Sequence, residues 1–386
     1  MLKRTDLFPA RVKVSWTKQP LFYVFAILAL IILLIVLVMI SSKKEDKHIV
    51  NKATAATSIN LEKKVNPKEK VATKLDQSLT GAHFSGTALV VKNGKVLLHK
   101  GYGKANVQKE KWNGPTTTFP VASTAKILTA ILIGQQVDAG KLKYDTKLSD
   151  FYPGVQNADQ ITVRDLLTMT SGLKQSKQPD SYTDDMANVD FSAANAESSG
   201  GVIGTGAGWS YQPINYRLLA GILMKVTGKS YQELAEQTFN KKAKLGILYY
   251  PAFKKADNLA NAYQVGTESE RDVTTVEYQR ETGTGNVSMT TGQLYQLYRD
   301  FFDNKFVKNH KDLLKQHLPA HYASGLYGYG DVYEGHGIFS GYESNVVVSN
   351  HGKNAVILLS NQYDNEHSVQ KIGQQFFTEL TGEAAP

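Results

Sequence analysis

The longest apolar run lies near the start of the chain. Residues 21–40 read LFYVFAILALIILLIVLVMI, twenty positions without a charge, a glycine or a proline. At about 1.5 Å per helical residue the run matches a bilayer core of roughly 30 Å, so it predicts a transmembrane anchor. It ends in Ser41-Ser42-Lys43-Lys44 and not in the small-residue pattern of a cleavage site, so the anchor is expected to be uncleaved. Further on, apolar and β-branched residues at 87–91 and 96–99 flank Asn93-Gly94, the strongest short hairpin signal. Positions 123–137 are apolar on nearly every side, which predicts a centrally buried helix stopped by Gly140. Further helices are predicted over 163–168, 215–226 and 231–239, the last opened by a capping box of Ser230 and Glu233. Strand patterns return at 345–349 and 355–359, and 369–380 reads as a closing helix.

Strands thus lie at both ends of the folded part, with helices between them. The expected fold class is α/β (α+β), with an antiparallel sheet built from both ends of the domain and flanked by helices. A mainly helical lobe is inserted over roughly 141–285. The expected organisation is a cytoplasmic segment (1–20), the anchor (21–40), a lysine-rich solvated stalk (41–75) and the folded domain (76–386). Lys3, Arg4, Arg11, Lys13 and Lys18 precede the apolar run, while Lys43, Lys44 and Lys47 follow it. That distribution mildly favours the N-terminus inside, which predicts a single-pass protein of the cell membrane with its folded domain extracellular.

Composition sharpens this picture at two points. The 386 residues include no cysteine, which rules out disulfides, thiolate catalysis and cysteine zinc sites. The formal charge of +9 comes entirely from residues 1–75, which hold 14 Lys and Arg against 5 Asp and Glu; the remaining 311 residues hold 30 of each. A balanced folded part gives no electrostatic footprint for nucleic acid. The basic excess sits beside the anchor, where it suits anionic head groups or anionic wall polymers.

Ser123 and Lys126 are the first candidate chemistry. Three residues apart, they share one helix face. A serine hydroxyl is a weak nucleophile that needs a neighbouring base, and a lysine serves where burial or a nearby cation disfavours its ammonium form. A serine at a helix start also places its own backbone N–H where an oxyanion could bind. Other patterns are weaker. His317 and His321 have a helical zinc spacing, but Pro319 lies between them and no third ligand is evident, so no metal is expected. Residues 204–208, GTGAG, lack the Lys-Ser/Thr of a phosphate loop and read as a turn ahead of Tyr211. Tyr322, Tyr327, Tyr329 and Tyr333 could line a sugar cleft, although core or sheet-surface roles fit each of them better.

The order of segments carries more than any one motif. Residues 84–107, 116–153, 161–173, 209–223, 230–239 and 282–297 follow one another as they do in the serine β-lactamase and penicillin-binding protein superfamily. Over most of residues 76–381 the chain resembles that superfamily, and within it the class C β-lactamase-like and esterase branch. The resemblance implies a β-lactamase/transpeptidase-like fold and an acyl-enzyme hydrolase without a cofactor. Ser123 and Lys126 fall on the acylated serine and its lysine. Tyr211 falls on the tyrosine of a Tyr-x-Asn motif, sharing proton transfer with Lys126. Pro213 replaces the asparagine and carries no donor.

The family's third motif, Lys-Thr-Gly or His-x-Gly, falls on 335–342, GHGIFSGY. Here His336 is expected as the cationic or donor group, with Gly337 beside it and the Phe339 N–H as second oxyanion donor. Ile338 stands where glycine is normal and is expected to narrow the cleft; the stretch to Gly341 is one residue short. The implied substrates are D-alanyl groups of the bacterial cell envelope, on a teichoic acid polymer or a peptidoglycan peptide. A D-alanyl esterase is favoured over a DD-carboxypeptidase, penicillin-binding protein or β-lactamase. A catalytically weak envelope-binding protein is the alternative of another class.

Overall fold

The first helix starts earlier than the lysine-rich pattern suggests. In the computed structural model, which describes residues 60–181 and 184–386, helix α1 (Lys70–Gly81) turns Ala72, Leu75 and Leu79 into the core. Asp76 on its polar side accepts hydrogen bonds from Lys100 Nζ (2.7 Å) and Tyr102 OH (2.6 Å). Residues 70–75 therefore belong to the folded domain and not to a stalk. Three apolar positions at helical spacing outweigh the surrounding lysines. Upstream, Val65 and His99 exchange backbone hydrogen bonds of 2.8 and 2.9 Å. The apolar run 21–40 lies outside the described residues; among the described residues no helix is long and apolar enough to cross a membrane.

Strands β1 (Gly86–Lys92) and β2 (Lys95–Tyr102) form the expected hairpin. Asn93 and Gly94 both take positive φ, 50° and 75°, as a two-residue turn between twisted strands requires. The far end of the chain supplies β3 (Tyr322–Ala323), β4 (Leu326–Tyr329), β5 (Val332–Phe339), β6 (Tyr342–Ser349) and β7 (Ala355–Ser360). The sheet order is β3-β4-β5-β6-β7-β1-β2, antiparallel throughout. A sheet built from both chain ends is what the sequence pattern predicts.

Helices cover both faces. Helix α2 (Lys126–Asp138) is buried without a break from Lys126 to Gly134, in keeping with its all-round apolarity. Helix α3 (Ile214–Thr227) and the short helix Val163–Thr168 belong to the inserted lobe. The helix expected over 231–239 is α-helical only over Tyr231–Ala235, with its capping box formed, and continues as a π-helical turn over Glu236–Lys242. A small three-stranded sheet of Phe119–Pro120, Val287–Met289 and Leu248–Tyr249 adds strand to the lobe's edge. Helix α4 (Thr291–Phe302) packs on β1 and β7, and α5 (Gln370–Thr381) closes the chain beside α1.

Candidate active site

The chain reaches Ser123 through a strained turn. Ala122 takes φ 48°, a left-handed conformation that costs a non-glycine residue about 1–2 kcal/mol. The surroundings hold it there. Val121 N–H donates to Val287 O at 3.1 Å. Ser344 Oγ donates to Val121 O at 2.7 Å and lies 2.6 Å from Thr124 Oγ1. Two glycines let the neighbouring backbone close in. A Cβ on Gly285 would lie 3.0 Å from the Ala122 carbonyl carbon; one on Gly337 would lie 2.5 Å from Val121 O and 2.8 Å from Ser123 N.

Ser123 sits in the 3₁₀ turn Ala122–Ala125 that leads into α2. One turn on, Lys126 Nζ donates to Ser123 Oγ at 2.7 Å, with Lys126 only 1% exposed. The three-residue spacing brings the pair together as the sequence predicts. Aromatic rings surround the ammonium, whose Nζ is 5.1 Å from the Tyr211 ring centre and 5.8 Å from that of Tyr216. Such faces attract a cation that has lost its water. Tyr211 is half-buried and packs edge-on to Tyr322, 5.9 Å between ring centres. Tyr216 and Tyr322 are fully buried, and burial pushes both phenols far above the ordinary range.

Pro213 opens helix α3. A helix leaves its first N–H groups without intrahelical partners, so proline's missing donor costs nothing there. Asn215, two residues on, cannot stand in for the asparagine at 213. It is buried, accepting from Ser171 Oγ (2.6 Å) and donating to Gln212 O (2.9 Å). Ser210 N–H donates to Met169 O at 3.1 Å, which fixes the segment before Tyr211.

Strand β5 corrects the expectations for the third motif. Side chains alternate between faces. Gly337 pairs with Ser344 and faces the Ser123 turn, so His336 and Ile338 face the other way. His336 Nε2 accordingly lies 2.8 Å from Glu343 Oε1, beneath the sheet and away from Ser123. Ile338 is 44% exposed on that far side and does not narrow the cleft.

The backbone alternates as well. The two-residue loop Ser340-Gly341 makes Phe339–Tyr342 a hydrogen-bonded pair, and Gly330-Asp331 does the same for Tyr329–Val332. The amides of Phe339 and Gly337 are therefore directed to β6. Those of His336 and Ile338 point to the edge that β4 leaves open beyond Glu334. The donor expected at Phe339 moves to Ile338, and Phe339 contributes its ring, 4.8 Å from that of Tyr278.

The weaker candidates separate in space. His317 Nε2 lies 3.5 Å from Asp165 Oδ1, while His321 stacks on Tyr329, 4.1 Å between ring centres. Among the described residues no group of three or more His, Asp or Glu could hold a metal ion. Residues 204–208 form a turn packed on His317 and Leu318. Tyr322 is buried, Tyr327 and Tyr333 are half-buried, and Tyr329 is exposed, so the four do not line one cleft. Sequence reasoning missed Thr124, Ser344, Gly285 and Asn215. Each is an ordinary small or polar residue whose role exists only through a partner distant in sequence.

A family model described as Beta-lactamase matches residues 71–375. The putative penicillin-binding protein PbpX of Bacillus subtilis (strain 168) is 29% identical over 339 residues, covering 86% of this chain and 83% of that protein. The teichoic acid D-alanine hydrolase of Staphylococcus aureus is 30% identical over 190 residues, 49% of this chain and 47% of that one, so the match spans about half of each. Among solved structures, FmtA from Staphylococcus aureus has a TM-score of 0.74 at 23% identity, over 88% of this chain and 95% of that chain. D-amino acid amidase from Ochrobactrum anthropi SV3 has a TM-score of 0.63 at 19% identity, over 80% of this chain and 98% of that chain. At these identities the two structures establish a shared fold.

Proposed function

The chain belongs to the Beta-lactamase family, within the superfamily of serine β-lactamases and penicillin-binding proteins, and from that premise we propose that it is a D-alanyl esterase acting on teichoic acid outside the cell. The hydrogen bond between Lys126 Nζ and Ser123 Oγ carries the reading. Ser123 Oγ attacks the ester carbonyl carbon, and its proton passes to the Lys126–Tyr211 pair, in which Tyr211 acts as a phenolate beside the Lys126 cation. The carbonyl oxygen takes up negative charge facing the Ser123 and Ile338 amides. The ester C–O bond then breaks, the alkoxide leaves with a proton from that pair, and water hydrolyses the acyl-serine to free D-alanine.

Pro213 favours ester over amide. An ester needs less activation, and proline offers no donor to a peptide group. The relative named teichoic acid D-alanine hydrolase supports the same substrate, and the charge excess of residues 1–75 suits a polyanion. The anchor at 21–40 would hold the domain at the outer membrane face. The penicillin-binding relative, which matches more of the chain, favours a second reading as DD-carboxypeptidase.

D-alanine release by the full chain decides between them. D-alanylated lipoteichoic acid and a muropeptide ending in D-Ala-D-Ala are compared, with Ser123→Ala as control. Release from the polymer, reduced at least ~10³-fold in the control, is the expected result. Efficient release from the muropeptide alone would sink the esterase reading, and no release from either would leave a binding protein.

A further inference from the structure

A groove far from Ser123 in sequence lies at the same end of the main sheet. We infer that it binds a pyranose sugar carried by the polymer whose D-alanyl groups reach Ser123; this rests on the proposed function. The first observation is Trp112. It is 68% exposed, unusual for the largest apolar side chain. It is also held in place. Lys104 lies opposite it in a short strand pair, with Nζ 4.2 Å from the ring centre. The turn between these strands is tied down by Val107 N–H, which donates to Tyr263 OH at 2.8 Å. A fixed aromatic face loses little entropy when a ligand settles on it.

The second observation is the space beside it. Trp112 and Lys104 border a cavity of about 760 Å³, with Phe84 and Tyr263 as apolar wall and Glu268 and His367 among its polar groups. A smaller cavity of about 190 Å³ shares the His83, Phe84 and Ser85 side and extends the groove toward Ser360. This size suits a small ligand. An indole face with side-chain donors and acceptors around it matches a sugar ring, apolar on its C–H face and polar at its rim.

The third observation is continuity with the site. Ile338, whose amide lies on the open edge, pairs with Glu343; Glu343 pairs with Ser360, and Ser360 with Gly86, next to Ser85 in the groove. At about 4.8 Å per strand, the groove begins roughly 14 Å from that edge. These four residues mark the same end of the sheet but the face turned away from Ser123, so a polymer occupying both sites would pass around that end, and each contact would raise the effective concentration at the other.

Calorimetric titration of the full chain carrying Ser123→Ala with tetra-N-acetylchitotetraose tests the groove directly. Saturable binding, weakened at least tenfold by Trp112→Ala and also reduced by Lys104→Ala, is expected. In the active chain Trp112→Ala should raise KM for sugar-bearing D-alanylated polymer about fivefold or more. Turnover of a small D-alanyl ester should be unchanged. No saturable binding, or binding indifferent to Trp112→Ala, overturns the inference. Binding lost on Trp112→Ala supports the groove even if no substrate yields D-alanine, a result that would remove the esterase alone.

Discussion

Gly337 and Pro213 are single residues whose effects separate packing from chemistry. An alanine at 337 would put its Cβ against the Ser123 amide and the Val121 carbonyl, both backbone and unable to swing aside. Gly337→Ala should lower kcat by roughly 10²-fold, the effect expected of a displacement near 1 Å, while the melting temperature moves far less. Steady-state kinetics alongside thermal melting check this; unchanged kcat would show that the nucleophile turn tolerates the shift. Pro213→Asn restores a side-chain donor at a helix start that accepts asparagine readily. It should raise acylation by a β-lactam or peptide about tenfold, the value of one hydrogen bond of ~1.4 kcal/mol, with ester turnover little changed. Acylation rates of the two proteins give the answer. At this scale the contact between Lys126 and Ser123 was legible, because it rests on a three-residue spacing, whereas Tyr211 came from the family resemblance. The resemblance misplaced His336 and the Phe339 amide, because which face and which edge a strand residue takes depends on register across two hairpins.

Between elements, strand β6 does two jobs through adjacent residues. Ser344 holds the Ser123 turn from one face. Glu343, fully buried, accepts from His336 Nε2 and from Val369 N–H (2.7 Å) on the other. Ser344→Ala would leave the buried Thr124 hydroxyl without its partner and the Val121 carbonyl with only the Thr124 N–H at 3.2 Å, which should cost about 1–3 kcal/mol in urea denaturation. A smaller loss would mean that Thr124 turns to bond Val121 O by itself. Helix α1 is the other element with a direct test. A chain beginning at residue 76 loses buried Ala72 and Leu75, and should unfold several kcal/mol more easily than one beginning at residue 60. Equal stability would return residues 70–75 to the stalk. The sequence pattern located five of the helices, yet hid this one in a lysine-rich stretch and missed α4 as well. The small sheet at Leu248–Tyr249 and Val287–Met289 was equally hidden, because strands of two or three residues show no periodicity.

The molecule as a whole should lose stability in acid through His99. Its ring is fully buried with Nε2 2.8 Å from Thr291 Oγ1, and burial lowers its pKa from 6.5 to about 4. Between those values the unfolded chain binds more protons than the native one. The stabilisation is therefore complete above pH 6.5 and is lost as pH falls toward 4, at up to ~1.4 kcal/mol per unit. His99→Gln should flatten that slope; parallel slopes for the two proteins in denaturant titrations at pH 7, 6 and 5 would refute it. At this scale the division between sequence and fold is clear. The sequence by itself determined the hairpin, the buried helix, a sheet drawn from both chain ends, the pairing of Ser123 with Lys126, and the apolar run at 21–40. All of these are encoded in side-chain type and short spacing. Tertiary structure alone decided that Ser344 and two glycines clamp the Ser123 turn, that Ile338 offers the open amide, and that Trp112 borders a groove. Those assignments join residues as far apart in sequence as Ala82 and His367. No local pattern encodes them, because hydrogen-bonding edge, facing side and cavity arise only when strands from both chain ends pair in register.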